Sequence, residues 1–204
     1  CMVGLLAFIY GFSTIATSVW SRYILAFGMI MLVLFVKHEI KVEQPILNMR
    51  LFSKNAVFAF SNLAALINYS ATFAVGFLLS LYLQVIMNFD SQTAGLILLS
   101  QPVLMALLSP FAGTLSDRVE PRIVASVGMG LTTLGLFIFS FISAAPPVWF
   151  IMANLALLGT GFGLFSSPNS NAIMGSVEKR FYGIASSTLG TMRLVGQAIS
   201  VAIA

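Results

Sequence analysis

From Ala56 to Met87 the chain runs through one apolar stretch without a single charged side chain. A helix needs only about 20 such residues to cross the roughly 30 Å hydrocarbon core of a bilayer. The pattern recurs: Met2 to Trp20, Ala94 to Leu115, Ile123 to Ile142 and Val148 to about Met174 are also free of charge. Arg22 and Lys37 bracket a shorter apolar run, which spans if its cationic ends snorkel to the headgroups. Gly183 to Ala204 opens one more run, interrupted by Arg193. Together these predict an all-α, polytopic transmembrane helical bundle of about seven spans. The ten-residue alternation of a membrane β-barrel is absent. Composition closes the soluble alternative. Hydrophobic residues make up 59% of the chain and charged ones 8%, against about 25% charged in a soluble domain.

The few charges set the topology. Lys37, Lys41, Arg50, Lys54, Arg118, Arg122, Lys179 and Arg180 fall in alternate loops. The loops between them, Asn88 to Ser91 and Ser143 to Pro147, hold no Lys or Arg, and the first loop holds only Arg22. The positive-inside rule then places the basic loops in the cytoplasm and the chain, multi-pass, in the cell (inner) membrane. Trp20 and Trp149 stand beside outer loops, where an aromatic belt would put them. KHEIKVEQPILNMRLFSK, from Lys37 to Lys54, reads as a loop or interfacial segment. The chain begins with Cys1 and stops inside the apolar run SVAIA, with no basic leader before its first span. It reads as a fragment of a larger protein.

The strongest motif is GTLSDRVEPR, Gly113 to Arg122, joining two apolar helices on the basic side. It resembles the G-x-L-x-D-R-x-G-x-R loop of the major facilitator superfamily. EQPILNMRLFSKNAVF, LYLQVIMNFDSQTAG, GTGFGLFSSPNSNAIMGSV and YGIASSTLGTMRLVGQAIS follow the order of its fourteen-helix drug:proton antiporter branch. The resemblance implies that residues 1–37 are two helices inserted between the transporter's halves. Residues 38–54 would be a cytoplasmic loop, and 55–204 the C-terminal bundle with its last helix or helices truncated. It further implies a proton-coupled multidrug efflux antiporter working by alternating access. Its partners would be small amphipathic or cationic compounds, protons, the lipid bilayer and a missing N-terminal half. The family's loop latches the two halves, which makes Gly113, Asp117, Arg118 and Arg122 the expected cytoplasmic gate. The competing reading is a loop that only orients the chain. Glu120 stands where the pattern has glycine, so a turn with positive φ at that position would be strained.

Candidates for the transport path are Asn62, Tyr69, Gln101, Asn154 and Arg193. Asn55, Asn62, Tyr69 and Gly76 recur at a helical spacing that sets them on one face. Amides inside spans line a polar cavity or serve interhelical hydrogen bonds, and spacing alone leaves both readings open. Arg193 lies well inside the last span, where a charge costs about 2.5–3.5 kcal/mol to insert. It either faces a cavity, paired with Glu178 or an acid of the missing half, or the helix starts later and Arg193 snorkels. Phe58, Phe73, Phe77, Met105 and Phe165 offer an apolar wall or a lipid face. Gly159 and Gly163 form a G-x-x-x-G pair suited to close helix approach, and Pro102, Pro110 and Pro168 are expected to bend their helices.

Several chemistries find no support. His38 is the sole histidine, so no metal site is expected. No glycine-rich loop precedes a lysine to hold ATP, and no cofactor, catalytic residue or nucleic-acid partner is expected. The spans themselves carry no carboxylate for a proton, and in the family such acids lie mostly in the first half. The chain is therefore not read as an enzyme. A membrane enzyme acting on lipid-linked substrates would need clustered acids or histidines at one interface. A non-transporting helical scaffold or sensor would keep the fold without the coupling acids.

Overall fold

The computed structural model describes residues 20–39, 49–142 and 146–204. Residues 1–19, and with them nearly all of the first expected span, lie outside the described part, as does 40–48 of the expected cytoplasmic loop. Every described element is helical. They are α1 (Trp20–Glu39), α2 (Met49–Lys54), α3 (Ala56–Leu81), α4 (Ser91–Leu98), α5 (Ser100–Arg118), α6 (Pro121–Phe139), α7 (Val148–Gly175) and α8 (Tyr182–Ile203). Among the described residues, the segments Ala56–Ile86, Ser91–Arg118, Pro121–Phe139 and Val148–Gly175 are long and apolar enough to cross a membrane. These coincide with four of the expected spans. α1 and α8 lie where two more were expected. Their hydropathy is diluted by polar ends in α1 and by Arg193 with several Ser, Thr and Gly in α8.

Local chemistry explains the boundaries. Asn55 caps α3, its Oδ1 accepting from the Phe58 backbone N–H at 3.0 Å. The sequence reading had set Asn55 on the polar face of that helix; its side chain serves the cap. α3 ends in a π-helical turn, Tyr82–Ile86. Asn88 follows with φ of 55°, a left-handed conformation that asparagine tolerates better than most residues. The Phe89 N–H then closes on the Leu83 carbonyl. Asp90 caps α4 by accepting from the Gln92 and Thr93 amides and the Thr93 hydroxyl. A turn at Leu99 separates α4 from α5. Pro102 lacks the N–H that would bond the Leu98 carbonyl, which accounts for the interruption. Pro110 and Pro168 lie inside continuous helices.

The described chain divides into two compact units: residues up to Phe73 with Val177–Ala204, and Ala74–Ser176. In the second, α7 is the central helix, packed against both α5 and α6. Glycine permits both contacts. A Cβ at Gly159 would lie 2.3 Å from the Gln101 carbonyl oxygen, and one at Gly163 3.3 Å from that of Met105. On the α6 side, a Cβ at Gly128 would lie 2.6 Å from the Gly161 oxygen. The G-x-x-x-G pair thus does what its spacing predicts: it seats α7 on α5. The buried face of α6, Val124, Ala125, Gly128, Thr132 and Gly135, repeats at helical period with mostly small side chains. A second apolar cluster of Leu79, Leu83, Ala94, Ile97, Ile151 and Leu155 fills the far end of this unit.

In the first unit α8 crosses α3. A Cβ at Gly196 would lie 2.7 Å from the Leu66 carbonyl oxygen and 2.9 Å from the Tyr69 Cβ. Phe52 of α2 meets Phe58 edge-on, with centroids 5.0 Å apart. Phe58 and Phe165 are fully buried in packing, whereas Phe73 and Phe77 are exposed. Large apolar side chains cover much of the outside, Phe60, Phe111, Phe141 and Trp149 among them. Such a surface suits lipid and not water.

Candidate functional site

The Gly113–Arg122 motif is two structures joined at Val119. Its first part is the last turns of α5. Gly113 faces α7, where its Cβ would meet the Ser167 Oγ at 3.1 Å. Ser116 is buried, donates to the Gly113 carbonyl, and accepts from Asn171 Nδ2 of α7 at 2.9 Å. This bond ties the motif's helix to α7. Asp117 and Arg118 occupy the exposed last turn of α5. There Arg118 complements the negative end of the helix dipole, and Asp117 opposes it. Among the described residues neither side chain takes part in an ion pair.

The second part is the entry to α6. Pro121 stands in the first turn, where its missing N–H costs nothing. Glu120 precedes it with φ of −53° and ψ of 121°. No left-handed turn occurs here, so glutamate in place of the family's glycine carries no backbone strain. Its carboxylate pairs instead with the Arg122 guanidinium two residues on. Both side chains are solvent-exposed, so the pair contributes little to stability.

Of the expected path residues, Asn62, Tyr69 and Arg193 belong to the first unit and Gln101 and Asn154 to the second. Asn62 and Tyr69 are buried on one face of α3. Asn62 Nδ2 donates to the Phe58 carbonyl of its own helix at 2.9 Å. Its Oδ1 is buried and accepts no hydrogen bond, as is also true of the Asn68 and Asn154 Oδ1 atoms. Arg193 of α8 places its Cζ over the Tyr69 ring, 5.2 Å from the centroid. α8 starts at Tyr182, so Arg193 lies well inside the helix and the late-start reading fails. Glu178 pairs with Arg180 at 2.9 Å, which removes it as the partner of Arg193. Asn154 and Gln101 belong to the other unit. Asn154 Nδ2 donates to the Gly135 carbonyl at 3.0 Å, an interhelical bond between α7 and α6. Gln101 is half-buried in the first turn of α5, its backbone against Gly159.

In the second unit a cavity of about 600 Å³ is lined by Val75, Leu78, Tyr82, Val85, Phe139 and Ile142 among others. Among the described residues, no group of three His, Cys, Asp or Glu is placed to hold a metal ion. Sequence reasoning missed Gly196 and Ser116. A lone glycine or serine in an apolar helix carries no signal until its neighbour is known.

The profile of the Major Facilitator Superfamily matches residues 61–204. The riboflavin transporter RibZ of Clostridioides difficile is 31% identical over 86% of this chain and 38% of its own length. The lincomycin resistance protein LmrB of Listeria monocytogenes is 28% identical over 96% of this chain and 42% of its own length. A multidrug resistance protein B homolog of Mycobacterium tuberculosis is 28% identical over 98% of this chain and 38% of its own length. The chain therefore spans about two fifths of the length of the curated relatives it matches. With this match laid over helices of membrane-spanning length and the α5–α6 loop, the chain belongs to the Major Facilitator Superfamily, a family of membrane transporters and not enzymes.

Proposed function

We propose that this chain is the C-terminal part of a proton-coupled efflux antiporter that exports small amphipathic or cationic compounds by alternating access. Residues 1–37 are then the pair of helices inserted between the halves, 38–54 a cytoplasmic loop, and 55–204 the C-terminal bundle. The protein sits in the inner cell membrane with its basic loops cytoplasmic, and its cavity is completed by an N-terminal half. Support for an exporter comes from the relatives named for lincomycin and multidrug resistance. The relative named for riboflavin shows that cargo varies among similar proteins.

One observation carries the gate. Asp117 sits against the dipole of its own helix, exposed, with no ion-pair partner among the described residues, while Glu120 and Arg122 satisfy each other. A carboxylate in that position is stabilised by donors from another surface. In this reading Asp117 and Arg118 form the latch, Gly113 sets the helix that carries them, and Arg122 holds the loop closed on Glu120. Asn62, Tyr69, Gln101, Asn154 and Arg193 serve the path, with protons as the counter-substrate. Asp117→Asn in the full-length protein should abolish export from cells while leaving membrane insertion intact. Unchanged efflux in vesicles would refute the gate.

A further inference from the structure

Arg193 poses an unsolved charge problem. α8 rises about 1.5 Å per residue, which sets Arg193 about 16 Å along the helix from Tyr182. In a membrane transporter a cation on a helix is costly wherever lipid surrounds it, and it persists only where something answers it. In its own unit Glu178 is taken up by Arg180. Arg193 makes no ion pair among the described residues and remains exposed.

Its position is nonetheless well defined. Gly196, one turn along α8, lets the helix touch the α3 backbone at Leu66 and Ser70. That contact brings the Arg193 guanidinium over the buried Tyr69 ring. An aromatic ring stabilises the cation through its face and leaves the N–H edge to donate. The edge of a guanidinium matches the two oxygens of a carboxylate, in a fork that an ammonium cannot reproduce.

We propose that Arg193, presented by the Tyr69 ring, is a recognition site for the carboxylate of an amphipathic compound within the membrane-spanning region. The inference rests on the transport reading and narrows it: among amphipathic compounds the site selects acidic ones and disfavours simple cations. Binding tests it separately from transport, with the purified full-length protein and three fluorescent probes: pyrenebutyrate, its neutral amide and the corresponding amine. Fluorescence anisotropy should show the carboxylate bound about tenfold or more tightly than the amide, as one charge-assisted contact allows. Arg193→Gln should erase that preference and leave the amide unchanged. Arg193→Lys should keep part of it, and Tyr69→Leu should weaken it. If the Gln variant fails to fold, the Lys and Leu variants carry the same comparison. Equal binding of carboxylate and amide by the wild type, or a preference that persists without Arg193, overturns the site. Preference without proton-driven export supports the site and contradicts only the transport reading.

Discussion

Glycines at helix contacts divide into those with no room and those with ample room, and this division makes the packing testable. At Gly159 and Gly196 a Cβ would overlap backbone of the facing helix, whereas at Gly76 nothing lies within 4 Å. Gly196→Ala and Gly159→Ala should each lower thermal stability by about 1–3 kcal/mol through overpacking. Gly76→Ala should be neutral or stabilising by about 0.5–1 kcal/mol, the cost of glycine inside a helix. Melting curves of the purified protein decide the matter; equal effects at all of these sites would contradict the packing described. Asn62 gives a second residue-scale test. Its Oδ1 is buried without a donor, a penalty of about 1–3 kcal/mol. Asn62→Leu should therefore hold or raise the melting temperature while lowering export. A fall in both would mark Asn62 as structural. Only part of this was legible in advance. Gly159 and Gly163 announce themselves by spacing, but Gly196 and the Arg193–Tyr69 contact exist only once α8 crosses α3.

At the scale of elements, the sequence reading succeeds where physics is local. Among the described residues, uncharged runs of sufficient length are helices, because a bilayer leaves the backbone no other partner. The interruption at Leu99 and the π-helical end of α3 were not foreseen, because both depend on details of backbone bonding. Prolines disrupt one turn upstream of themselves, which places the break near Leu98 and leaves Pro102 itself helical. The cap of α4 supplies a pH test. Hydrogen bonds from the Thr93 side chain, then from backbone amides, hold the Asp90 carboxyl below its ordinary value of 3.8. A lowered folded pKa means the cap's contribution is present above the ordinary value and is lost as pH falls through the lowered one. Exchange of the Gln92 and Thr93 amides, corrected for intrinsic rate, should accelerate in acid. Asp90→Ala should accelerate it already at neutral pH; no change in the variant would contradict the cap. At the next loop, Glu120→Gly should leave stability within about 0.5 kcal/mol, since it removes only an exposed ion pair and relieves no strain.

At the scale of the molecule, family membership and the membrane fold are shown, and the work done by the full-length protein is a proposal. The lone charges explain why function was harder to read than fold. Fold follows from many residues acting alike, whereas a gate or a binding site depends on one or two. Asp117 and Arg193 both have that character. The proposal that matters most is that the chain belongs to an exporter driven by protons, each charge moved being worth about 2.3 kcal/mol per 100 mV. The direct measurement is uptake of a fluorescent amphipathic compound into inside-out membrane vesicles containing the full-length protein, with an imposed proton gradient. The compound should accumulate, the accumulation should collapse when a protonophore dissipates the gradient, and it should be absent with Asp117→Asn. Accumulation indifferent to the gradient, or none in vesicles where the protein is inserted, would contradict that proposal.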